Sequence, residues 1–137
     1  MLNGVILQKL QALEQVMMEL ISLGKISAQQ LQEDWQIRRA IERSLQIAVE
    51  VMMDVCQRIL AVQSQTPAAT GSEAIARCVE RGVLSGEEPY RRMVQFRNFI
   101  VHRYEQVDVE ILLDIVNNRL NDFDRFRREV LQYVQAH

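Results

Sequence analysis

Apolar residues recur at spacings of three and four through most of the chain. Val5, Ile6, Leu10, Leu13, Met17, Leu20 and Ile21 make the first such stripe, which predicts an amphipathic helix. Gly24 fits the left-handed stop residue after it. Ser27 opens S-A-Q-Q, a capping-box pattern in which Gln30 reaches back, so a second helix starts there. No proline or glycine interrupts the chain from that point to residue 62, and Trp35, Ile37, Ile41, Leu45, Ala48, Met52, Val55 and Ile59 continue the apolar stripe. One helix over 27–62 is expected, long enough to cross a small domain or to bend within it.

The stretch QSQTPAATG, residues 63–71, reads as the one clear loop. Ser72 is the expected cap of a short third helix with Ile75, Ala76 and Val79, ended by Gly82. Ser85 and Glu88 repeat the capping-box spacing ahead of a fourth helix carrying Tyr90, Met93, Val94 and Phe96 toward residue 101. A last helix begins after Asp108, with Val109, Leu112, Val116, Leu120, Phe123, Val130 and Val134 as one long stripe and Phe126 close to it. No alternating strand pattern and no internal repeat stands out. The expectation is an all-α antiparallel bundle of about five helices, forming a single domain over 1–137.

Composition agrees and removes several function classes. With 137 residues, 48% hydrophobic and 25% charged, the chain is in the globular range, and two prolines with five glycines leave room for long helices. No run of eighteen apolar residues occurs, so no membrane span is expected. Polar residues at Gln8 and Lys9 interrupt the N-terminal stretch too early for a signal-peptide core, which points to the cytoplasm. Cys56 and Cys78 read as two reduced thiols; with two scattered histidines they show no ligand spacing, so neither a metal site nor a cofactor is expected. One member of each methionine pair, Met17 and Met52, lies on a core stripe and suits gap-filling. Trp35 fits core or interface equally.

The net charge of −2 implies no overall nucleic-acid affinity, but its distribution is uneven. No acid occurs in residues 89–104, which hold Arg91, Arg92, Arg97 and Arg103, and a second cluster holds Arg125, Arg127 and Arg128. Solvated helix faces look like this, and so does a surface that meets phosphate. Within eight residues the first segment gathers Arg97, Asn98, His102, Arg103 and Tyr104. Histidine suits proton transfer near neutral pH, and arginine suits a bidentate grip on a phosphate or a developing phosphorane. At 100° per residue, Asn98 and His102 face the same way, so Asn98 can orient the imidazole. Arg97 and His102 are five apart, about 140° around a regular helix. They meet one phosphate only if the helix ends or distorts between them, or if two chains pool their copies in a composite cleft.

The run Arg97-Asn98-Phe99-Ile100-Val101-His102-Arg103-Tyr104 resembles the R-x4-H-x-Y signature of HepT-type toxins in the HEPN superfamily. AIERSLQIAVEVMMDVCQRIL is similar to that family's second helix, and YRRMVQFRNFIVHRYEQVD with the long helix after it is similar to its second half. The resemblance covers nearly the whole chain. It implies an all-α homodimer whose paired motifs line a cleft, and a metal-independent endoribonuclease acting as the toxin of a type II/VII-like toxin–antitoxin pair. It further implies an MntA-type nucleotidyltransferase antitoxin as partner. By the same resemblance, Arg97 and His102 are catalytic with Asn98 in support, and Tyr104 is the AMP acceptor; the uneven charge makes Arg91, Arg92 and Arg103 candidate contacts to RNA phosphates. Such an enzyme needs a base for the 2′-OH, an acid for the leaving oxygen and a cation for the phosphorane. The alternative from another class is a non-catalytic helical subunit that binds substrate for a minimal nucleotidyltransferase.

Overall fold

The computed structural model describes residues 2–103 and 108–137. Among the described residues there are seven helices and no strand: α1 (Leu2–Ser22), α2 (Ala28–Glu33), α3 (Trp35–Val62), α4 (Gly71–Glu80), α5 (Tyr90–Arg103), α6 (Val109–Asn118) and α7 (Leu120–Ala136). No helix among them is long and apolar enough to cross a membrane.

The all-α expectation holds, and the count differs because two of the five expected helices are each divided. The span 27–62 breaks at Asp34, where Asp34 Oδ1 accepts from the backbone N–H groups of Gln36 and Ile37 and so caps a new helix. A short carboxylate competes with the helical ladder for its own neighbours' N–H groups, and here it wins over an unbroken apolar stripe. The second break, at Arg119, follows two asparagines, which are weak helix formers. Asn117 is also engaged elsewhere. Its amide donates to the Ile26 carbonyl at 2.9 Å and its oxygen accepts from the Ile26 N–H at 3.0 Å, fastening the turn before α2 onto α6.

Other local signals fare unevenly. The Ser27–Gln30 capping box forms as expected, and Gly24 and Gly82 both take positive φ. The cap of α4 is Thr70 rather than Ser72, through a bond from the Glu73 N–H to Thr70 Oγ1 at 3.1 Å. The helix therefore starts at Gly71, where a Cβ would lie 2.7 Å from the Met53 side chain and 3.1 Å from that of Val94. The Ser85–Glu88 box does not form. Ser85 instead gives both its N–H and its hydroxyl to Glu129 of α7, and α5 begins at Tyr90, after Pro89 has disfavoured helical geometry at the residue before it.

α3 is the central element, packing against α1, α2, α4 and α5, while α7 closes on α1. Ile41, Leu45, Ala48, Val49, Met52, Val55, Cys56, Ile59 and Leu60 of α3 are buried in one hydrophobic cluster that draws on every helix. Met17 and Met52 are buried, as their stripes required, and Met18 is exposed. Trp35 is 62% exposed and carries Arg39 over its ring at 5.3 Å. Both cysteines are free and buried, with the Cys78 thiol 3.7 Å from the Cys56 carbonyl oxygen. Gln57 clasps the backbone of Ala68 at both N–H and C=O, which holds the 63–70 loop against α3.

Tyr90 fixes the start of α5. Its ring is buried edge-on to Phe126, 5.5 Å between centroids, and its hydroxyl donates to Glu129. Burial, then the Glu129 hydrogen bond, push the phenol well above its ordinary pKa, so it stays a neutral donor. Glu129 thereby satisfies Tyr90 and both polar groups of Ser85. Glu129→Ala strands the buried hydroxyl and releases the 81–89 turn. It is expected to lower unfolding free energy by about 1–3 kcal/mol in denaturant titration; an unchanged midpoint contradicts this account of how α5 is anchored.

Candidate functional site

α5 presents the motif because its apolar positions commit one side of it to the core. Tyr90 and Val94 are buried, and Met93, Phe96, Phe99 and Ile100 pack partly buried against the cluster. The remaining faces carry Arg91, Arg92, Gln95, Arg97, Asn98 and His102. The helix is uninterrupted from Tyr90 to Arg103. It neither ends nor distorts between Arg97 and His102, which removes the first of the two ways in which those side chains can meet one phosphate.

Arg97 is held from two sides. Its Nε and Nη2 each donate to Glu50 Oε1 of α3 at 3.3 Å, and its Nη1 donates to Asn98 Oδ1 at 3.1 Å. The Arg97 side chain is 22% exposed and that of Glu50 36%, so the guanidinium is restrained yet reachable. Gln46, one turn before Glu50, donates from Nε2 to the same carboxylate oxygen at 2.8 Å. The structure thus brings together Gln46, Glu50, Arg97 and Asn98. The Asn98 carbonyl is engaged with Arg97. His102 is exposed in the last turn of α5.

Arg91 and Arg92 are exposed on the same helix, where they are available to solvent-borne anions. Arg103 is the last residue of α5, and Tyr104 lies outside the described residues. Each arginine of the second basic cluster has a local carboxylate partner. Arg125 pairs with Glu129 at 3.8 Å, and Arg127 and Arg128 both reach Asp124 at 3.0 Å. Those arginines behave as a solvated helix face.

Along α5, residues of α3, α5, α6 and α7 line an open, largely apolar cavity of about 780 Å³, with Leu45, Phe96, Phe99, Ile111, Ile115 and Phe123 among its walls. Phe96 and Phe99 line it from α5, the helix that also carries Arg97. The sequence pattern did not single out Glu50. It stands off the core stripe of α3, 47 residues from Arg97, and reads there as one more solvated carboxylate. Only the Gln46–Glu50 spacing of four hints that the two act together.

Known proteins agree with this architecture. The chain is 21% identical over 99 residues to the mRNA nuclease HepT of Shewanella oneidensis, covering 71% of this chain and 74% of that protein. It superposes with a TM-score of 0.84 on a tri-AMPylated HEPN toxin of the same organism solved in complex with an MNT antitoxin, at 18% identity over 93% of this chain and 97% of the other. A toxin–antitoxin complex with AMP-PNP gives a TM-score of 0.85 at 17% identity, covering 95% and 99% of the two chains. These superpositions establish a shared fold. The family model described as ribonuclease HepT-like matches residues 6–130, and the chain therefore belongs to the ribonuclease HepT-like family.

Proposed function

We propose that this protein is an RNA-cleaving toxin that works without a metal and is neutralised by a nucleotidyltransferase antitoxin. The observation that carries the proposal is the state of Arg97. A guanidinium anchored by Glu50 and Asn98 while still partly exposed is a preorganised cation, which is what a developing phosphorane needs. Family membership and the mRNA nuclease named among its relatives support the substrate class.

RNA carries its own nucleophile in the 2′-OH. His102 takes the proton of that hydroxyl, the 2′ oxygen attacks the adjacent phosphorus, and Arg97 stabilises the charge on the pentavalent phosphorane. The bond to the 5′ oxygen then breaks, and that oxygen takes a proton from a second His102 or from water. The products are a 2′,3′-cyclic phosphate and a 5′-OH. Because α5 is continuous, Arg97 and His102 of one chain lie about 140° apart around it. A homodimer that pools Arg97 of one copy with His102 of the other resolves this. Arg91, Arg92 and Arg103 contribute contacts to flanking phosphates.

The structural relative described as a tri-AMPylated HEPN toxin in complex with an MNT antitoxin supports the reading that an enzyme of that kind acts on this chain at Tyr104. A phosphate joined to that hydroxyl sets negative charge and bulk beside Arg103 and His102 in the chain, where it competes with the RNA backbone.

Induced expression of the wild type is expected to arrest growth with loss of RNA integrity, and the purified protein to cut RNA in the presence of EDTA. Arg97→Ala and His102→Ala are each expected to lower the cleavage rate by about 10²-fold or more at equal soluble yield. Activity retained by both variants contradicts the mechanism, and a wild type without effect on growth or RNA favours the non-catalytic subunit. Intact-mass analysis after incubation with the antitoxin and ATP is expected to show AMP on the wild type and a smaller gain on Tyr104→Phe. An equal gain on both removes Tyr104 as acceptor.

A further inference from the structure

Among the described residues, the acidic group paired with the motif arginine is the Glu50 carboxylate, and it binds with a definite geometry. A single oxygen, Oε1, accepts from Arg97 Nε and Nη2 at 3.3 Å each and from Gln46 Nε2 at 2.8 Å. Arginine has five N–H donors. The Nε–H and one Nη2–H go to Glu50, and one Nη1–H goes to Asn98. One N–H on each terminal nitrogen is left for an incoming anion. The side edge of the guanidinium is therefore spent on the protein while donors at its tip are kept for the ligand.

We propose that Glu50 is a positioning residue for the ribonuclease reaction, with Gln46 holding it in place. This rests on the nuclease reading above and names a residue of α3, an element outside the motif. Two effects of Glu50 compete. Its charge opposes an approaching phosphate, which weakens ground-state binding. Its hydrogen bonds fix the direction of the guanidinium, which favours the transition state, because a donor already aimed at the phosphorane needs no reorganisation as charge develops. Both bonds to Arg97 are long and lie near solvent, so the Coulombic opposition is screened. The directional effect is the larger one.

The test uses full-length Glu50→Ala and Glu50→Gln, assayed on a labelled mixed-sequence RNA that the wild type cuts. Binding of the same RNA is measured in the cleavage-deficient His102→Ala background. Glu50→Ala is expected to lower kcat by about 10–100-fold, while RNA affinity stays equal or rises because a nearby negative charge is gone. Glu50→Gln keeps an acceptor oxygen and is expected to recover most of kcat. By NMR, the Arg97 Nε–H is expected to be protected from solvent exchange in the wild type and in Glu50→Gln, and exposed in Glu50→Ala. If Glu50→Ala does not fold, Glu50→Ser, too short to reach Arg97, replaces it. An unchanged kcat in the short variant, or an equal loss in Glu50→Gln, overturns the proposal. A wild type that leaves RNA intact overturns the nuclease reading instead, and the Nε–H exchange still reports whether Glu50 holds Arg97.

Discussion

The continuity of α5 is the constraint from which the rest follows. Tyr90 and Val94 pin its first turns in the core, Tyr90 is tied to α7 through Glu129, and Phe96, Phe99 and Ile100 continue the contact toward its end. A helix seated in this way holds its side chains at fixed bearings. Arg97 and His102 are then separated by about 7.5 Å along the axis and about 140° around it. That divergence motivates the proposal that a second copy of the chain completes the site.

The packing of α3 makes the cation usable. Its core stripe, from Ile41 to Leu60, fixes the helix against α1, α4 and α5, and that leaves Glu50 and Gln46 on the flank that faces Arg97. Without that counter-ion a partly exposed arginine would point into solvent along many paths. Restraint from α3 narrows those to one while donors remain for a ligand. The two parts have different origins: the motif is local to α5, and its alignment comes from a helix 47 residues earlier.

Periodic features were legible in the sequence. The apolar stripes found α1, the buried face of α3, and the core positions Phe123, Phe126 and Val130 of α7, because burial imposes the 3.6-residue period directly. What escaped was decided by single polar contacts. Asp34 divides one expected helix by capping the next, and α6 ends at Asn118, beside an Asn117 whose side chain clasps Ile26. Ser85 has the right spacing for a capping box with Glu88, yet its hydroxyl serves Glu129, 44 residues away. The motif residues were visible for their local spacing, whereas Glu50 was not, since its role depends on the packing of α3 against α5. The bond from Arg97 Nη1 to Asn98 Oδ1 was likewise not suggested by spacing, which sets Asn98 on the same face as His102.

Mixing two inactive variants shows whether the proposed site draws its reacting groups from two chains. Arg97→Ala and His102→Ala are co-expressed with different tags, and the heterodimer is isolated and assayed for RNA cleavage. If sites are shared between copies, one of the two is intact in the heterodimer, and roughly half of the wild-type activity returns. If each chain carries its own complete site, every site in the heterodimer lacks a member and no activity returns, which would contradict the account.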